Sequence, residues 1–253
     1  MNSDWLRPDW ALHHVHAFMT TRAGGVSQGA HASLNLGRAV QDDPAAVAEN
    51  RAILCRALRA PAAFLPQVHG VDVLLLRPEH AVPGAELPKA DACVSTTPGL
   101  GLAIQVADCL PVLFAAPGGV AGAHAGWRGL AAGVLENTVA ALCDAASCKP
   151  GEVSAWMGAC IGPAVFEVGA DVLQAFGREP VLHDAEYFRY VPNAAGEPRW
   201  RADLPGLARE RLTALGLKHI GGGRWCTLSE PSRFFSYRHE PLAGRMAAAI
   251  VLR

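Results

Sequence analysis

No two of the seven cysteines in this 253-residue chain are spaced as Cys-X-X-Cys. That absence argues against a zinc ribbon and a thioredoxin-type redox motif, and an odd, scattered set in a chain this long does not read as a disulfide framework. Reduced thiols, mostly buried as small apolar groups, are expected instead. Charge is also scarce and balanced: 22 basic against 23 acidic residues give a formal net charge of −1. No global basic field therefore points to nucleic acid. An uninterrupted run of about 18 apolar residues is missing, which excludes an obvious membrane span. The polar opening MNSDWLRPDW lacks the apolar core of a signal peptide, so a cytoplasmic protein is expected.

What is present is apolar. Hydrophobic residues make up 51% of the chain and charged ones 18%, the balance of a compact globular protein with a large core. Strand-like segments are expected at His14–Arg22, Val71–Leu76, Ala90–Val94, Leu102–Val106, Pro111–Ala115, Val120–Ala123, Val153–Met157 and Met246–Leu252. Asp43-Pro44 opens a helix running to Arg59, with an acceptor at the cap and proline at the first helical position. Leu130, Val134, Val139 and Leu142 mark one further helix, and Ala170–Phe176 and Leu204–Leu215 two more. Val191–Arg201 reads as a loop. Strands and helices alternate irregularly and no linker divides them, so residues 1–253 are expected to form one mixed-sheet α/β domain.

The densest chemistry lies between Gly101 and Glu136. Cys109 follows one apolar run, His124 ends the next, and Gly126-Trp127-Arg128-Gly129 turns into a helix. With His69 in Pro66-Gln67-Val68-His69-Gly70, a thiolate and two imidazoles could form a three-ligand metal site with an open position, zinc being the first choice. Copper also suits two histidines and a cysteine. Without metal, Cys109 could serve as a nucleophile with His124 as its base, or be a plain core thiol. Arg128 at a helix start offers a charged fork for an anion. Asp108 could orient an imidazole, act as a base or satisfy a turn; its side chain should face away from that of Cys109. Arg22, Ser33, Asn35 and Arg51, in and after a Gly-Ser loop, could contact a substrate or belong to a plain turn; the loop matches neither a Walker A pattern nor GxGxxG. Gln67 could contact a substrate or simply hold the His69 loop. His14 and His16 share a strand face and could form a metal pair or a solvated edge.

Taken together and in order, PQVHG, ADC, AGAHAGWRG, GACIGP and FFSYR resemble the YfiH/YlmD family, also called laccase-domain or polyphenol oxidase proteins. The likeness runs from TTRAGGVS to Arg238. It implies an α/β fold like that of the cytotoxic necrotizing factor catalytic domain, a cysteine-hydrolase architecture, with zinc bound by His69, Cys109 and His124. The activity it implies is phosphorolysis of purine nucleosides (adenosine, inosine and methylthioadenosine), with adenosine deamination beside it and copper-dependent phenol oxidation as an older assignment. Here the last motif reads SYRHE where the family more usually has SYRR.

Overall fold

The computed structural model describes residues 3–82 and 84–253; the first two residues of the N-terminal stretch read above lie outside it. The chain order is β1 (Val15–Met19), α1 (Pro44–Leu58), β2 (Ala62–Phe64), β3 (Val73–Leu75), β4 (Ala92–Ser95), β5 (Gly101–Val106), β6 (Leu110–Ala116), β7 (Gly119–Ala125), α2 (Trp127–Ala132) and α3 (Val134–Ala146). It continues through β8 (Ser154–Met157), β9 (Glu167–Val168), α4 (Ala170–Ala175), β10 (Phe188–Tyr190), β11 (Trp200–Ala202), α5 (Leu204–Ala214), β12 (His219–Gly222) and β13 (Met246–Leu252).

These form a four-layer sandwich. A six-stranded mixed sheet, β12-β8-β6-β7-β4-β3, packs one face on helices α2–α5 and the other on a four-stranded sheet, β1-β13-β5-β2, whose outer face is covered by α1. Both sheets are thus buried on both sides, which is why β6 and β13 are apolar throughout rather than alternating, and β7 apart from His124. On β13 the pleat sends Met246, Ala248 and Ile250 between the sheets and Ala247, Ala249 and Val251 toward α1. Burying each of the larger side chains contributes about 1.5–3 kcal/mol. Among the described residues no helix is long and apolar enough to cross a membrane.

Helix α1 begins as its sequence dictates: the Asp43 carboxylate accepts from the Ala45 N–H at 3.0 Å, and Val47, Asn50, Leu54 and Leu58 form its buried stripe. The helix expected after His124 is two helices. Gly133, at φ 102°, ends a six-residue α2 and turns the chain into α3, a conformation that other residues adopt only with strain. The expected loop 191–201 gives way at its end to β11, which pairs with β10 and β9 in a small third sheet. Strands β5 and β6, adjacent in sequence, lie in different sheets. The Ala107-Asp108-Cys109 bend is therefore a corner between the two sheets, turned at Asp108 with φ 84°.

Candidate metal centre and its cleft

Three elements deliver the donor groups. Cys109 sits at the sheet-to-sheet corner, His124 near the end of β7, and His69 (φ 63°) in the loop between β2 and β3. The structure brings all three together: one ligand atom from each lies within 4.8 Å of the others, and Cys109 Sγ is 3.8 Å from His69 Nε2. The imidazoles meet edge-on at 4.8 Å between ring centres. Two tetrahedral bonds of the length zinc makes to sulfur and nitrogen would separate those atoms by about 3.6 Å. Gly126 completes the cradle, since a Cβ there would stand 3.0 Å from both Cys109 Sγ and the His69 ring. The donor set and spacing fit a metal ion of borderline softness.

Asp91, which sequence reasoning passed over, organises the site. Its side chain is wholly buried, and its Oδ1 accepts from His124 Nδ1 at 2.7 Å. That bond fixes the tautomer and leaves His124 Nε2 for a ligand. The same carboxylate accepts the backbone N–H groups of Val68 (3.0 Å), His69 (2.8 Å) and Gly70 (2.7 Å), so one residue sets both histidines. Burial pushes the Asp91 carboxyl up, but the donors from His124, Gly70 and Val68 outweigh it and hold it below its usual range. The signal was in the sequence: an acid inside the apolar run Ala90–Val94 must find partners once buried.

Burial also works against ionising Cys109, yet the charge and hydrogen bonding of His124 and His69 bring its thiol down to about 6. Reciprocally, His124 is disfavoured as a cation by burial but is raised to about 9 by Cys109 and Asp91. Each group thus favours the charged form of the other, thiolate beside imidazolium.

The centre opens into a cleft of about 1170 Å³. Six cations reach its lining (Arg38, Arg51, Lys89, Arg128, Arg238, Arg245) against two acids, Glu86 and Asp108. A chain of balanced charge has gathered a local basic surface. Arg128 is exposed and stacked 4.4 Å over Trp127 at the start of α2. The six-residue helix is too short for the dipole expected behind it, so Arg128 itself supplies the charge there.

The remaining candidates divide. Arg51 and Gln67 line the cleft. Gln67, however, uses both ends of its amide on the backbone of Gln105, at 2.8 Å each, which anchors the His69 loop rather than leaving a base reader. Arg22, Ser33 and Asn35 do not line the cleft. Arg22 donates to the carbonyls of Ala32 and Pro231 and stacks on Phe235. Ser33 Oγ accepts from the N–H groups of Gly24 and Gly25. Asn35, fully buried, bonds Gly37, Asp42 and the Arg245 N–H. The structure thus places these three outside the cleft lining, with the polar contacts it shows for them made inside the fold. Asp108 orients no imidazole; it accepts from Thr227, Ser236 and the Arg238 N–H, tying the FFSYR segment to the corner. His14 and His16 join no group of three metal-binding side chains among the described residues.

This chain is similar to proteins of known family along nearly its whole length. The family model described as multi-copper polyphenol oxidoreductase laccase matches residues 16–253. A Pseudomonas aeruginosa protein named purine nucleoside phosphorylase is 46% identical over 98% of both chains. The Escherichia coli protein named purine nucleoside phosphorylase YfiH is 46% identical over 94% of both. Among solved structures, a Neisseria meningitidis protein superposes with a TM-score of 0.87 at 43% identity, covering 99% of each chain. YlmD from Geobacillus stearothermophilus superposes at 0.88 and 32% identity, covering 98% of this chain and 96% of its own. With a fold, a motif set and relatives that agree from end to end, the chain belongs to the laccase-domain family of YfiH and YlmD.

Proposed function

We propose that this protein is a zinc-dependent purine nucleoside phosphorylase acting on adenosine, inosine and methylthioadenosine, with adenosine deamination as a second activity. On this reading residues 1–253 are one catalytic domain, at work in the cytoplasm and related in architecture to the cytotoxic necrotizing factor catalytic domain. The observation that carries the proposal is the convergence of His69, Cys109 and His124 on the wall of a basic cleft. The names of relatives 46% identical support the same reaction class. Three protein donors, rather than four, suit a catalytic zinc. Bound there, zinc would supply Lewis acidity toward a phosphate or water oxygen.

The chain's own residues supply position and charge. Asp91 holds both histidines, and Gln67 pins the loop that carries His69. Arg128 presents its planar fork to the oxygens of phosphate. An oxygen of hydrogen phosphate forms the bond to ribose C1′ as the C1′–N9 bond breaks, and the proton the phosphate gives up goes to the departing purine, leaving ribose 1-phosphate and free base. In deamination, a water oxygen attacks C6 of adenine and ammonia departs.

The test is purified protein incubated with adenosine or inosine, with and without phosphate, and read by chromatography beside metal analysis. Phosphate-dependent release of free base and ribose phosphate, with one zinc per chain, is the expected result. Turnover unaffected by phosphate and by metal removal would overturn it. Copper bound at the same ligands would favour the oxidase chemistry in the family's description.

A thiol hydrolase is the second reading, favoured by the depressed Cys109 thiol beside His124. Metal-free protein that remains active and loses activity on alkylation of Cys109 would establish it over the first.

A further inference from the structure

We propose that Cys143 and Cys148 are an oxidisable pair: exchange with a small-molecule disulfide closes a bond between them and staples the end of α3. Their sulfurs lie 3.9 Å apart, the one pair of cysteine sulfurs in contact among the described residues. Both side chains are partly exposed and neither lines the cleft, so a small disulfide can reach them while the metal centre is occupied.

The helix end builds the pair. Ser147, at φ 52°, turns the chain out of α3 in the left-handed region, and the Cys148 N–H donates to the Cys143 carbonyl at 3.1 Å. That bond, with the covalent distances on either side, holds the two Cα atoms within about 7 Å of each other; disulfides usually span about 4.4–6.8 Å. Such a turn often brings two apolar side chains together. Here both are thiols. A sulfur–sulfur bond of about 2.0 Å requires an approach of about 1.9 Å, a movement that side-chain rotation supplies.

The chemistry balances in two steps. One thiolate attacks the small disulfide, forms a mixed disulfide and expels one small thiolate; the second attacks the mixed disulfide and expels the other. The pair loses two electrons and two protons, and the small disulfide takes up both to become two thiols. Burial pushes the Cys143 thiol up to about 11, and Cys148, Asp144 and Glu152 push the same way. Cys143 therefore adds no thiolate stabilisation to the reduced pair at neutral pH, unlike the thiols of strongly oxidising pairs, which favours the closed form.

The staple sits far from the metal ligands. The last turn of α3 packs on the start of β7, where a Cβ on Gly119 would stand 2.9 Å from Leu142 Cδ1 and 3.0 Å from Ala146 Cβ. His124 is at the other end of that strand, about 17 Å along it.

The test is zinc-loaded full chain incubated with oxidised glutathione, capped at its remaining free thiols, and cut unreduced with a glutamate-specific protease. The peptide Asn137–Glu152 carries these two cysteines and no other. It should arrive uncapped and lighter by two hydrogens, from protein that melts about 2–6 °C higher and keeps its metal. Cys148→Ser should lose both effects, and Cys143→Ala is the second variant should the first fail to fold; Cys55→Ser, on α1, keeps both. Capped thiols at both positions, glutathione left on either cysteine, or a closed bond that lowers the melting temperature or releases metal overturns the proposal. So does a pair blocked by a metal ion rather than a bond, recognised when a chelator restores both thiols.

Discussion

Two buried carboxylates, Asp91 and Asp42, are hubs of the same kind with different ends. Asp91 gathers three backbone N–H groups and the His124 ring. Asp42 gathers Ser27 Oγ (2.6 Å), Asn35 Nδ2 (2.8 Å) and the Asp43 N–H (2.9 Å), with His31 Nδ1 at 3.6 Å. In both, burial opposes ionisation and the hydrogen bonds outweigh it, so both carboxyls are held below their usual range. The histidines differ. His31 turns its other nitrogen to the Val40 carbonyl at 2.8 Å and closes the network, whereas His124 turns its own toward Cys109, His69 and the cleft. A buried polar hub becomes a candidate site only where one of its donors continues to an unsatisfied, open position.

The largest effect expected is at the metal ligands. Cys109→Ser should abolish stoichiometric metal and nucleoside turnover, read by metal analysis and chromatography; retained metal would break the contrast at its functional end. Asp91→Asn should lower metal affinity by about 10–100-fold through misoriented histidines, measured by competition with a chelator. Removing metal should expose the thiolate: at pH 7 Cys109 should alkylate about tenfold faster than an ordinary thiol, with a midpoint near pH 6, and added zinc should protect it. A midpoint near 9 would contradict the thiolate–imidazolium pair.

Asp42→Asn should leave metal affinity unchanged and destabilise the fold by about 1–3 kcal/mol at pH 7. Because the folded carboxyl is depressed, its stabilisation exists above the unfolded value of about 3.9 and fades as pH falls through the lower folded value. Urea midpoints of wild type and variant should therefore converge in acid; a gap that persists there would deny the charge its role. The smallest effect is expected of Ser33→Ala, at about 1 kcal/mol of stability with KM for nucleoside unchanged, since Ser33 serves Gly24 and Gly25 rather than the cleft. A raised KM would restore Ser33 as a substrate contact.

Much of the fold was readable because its signals are local. Asp43-Pro44 starts α1 where its cap chemistry requires, and the all-apolar runs of β6 and β13 mark strands covered on both faces. Gly133 was the readable signal for the α2–α3 break, but an apolar stripe continuous across it concealed the break. The three-residue strands β2, β10 and β11 are too short to show a period and exist only through their partners. In the site, His69, Cys109, His124 and Arg128 stood out by side-chain chemistry beside glycine-bounded turns. Asp91 did not, because it acts through residues far away in sequence, the His69 loop 21–23 positions upstream and His124 on the neighbouring strand.

The amino-acid order by itself determined which side chains could do chemistry, where α1 starts, and that a large apolar core would form, since these follow from residue type, a local cap and composition. Only the tertiary structure decided that β5 and β6 part into different sheets and leave Cys109 at their corner. It alone set Asp91 across the ladder from His124 and pointed the arginines into a cleft. Those outcomes depend on contacts between distant segments, where packing and buried charge select one arrangement that no local pattern encodes.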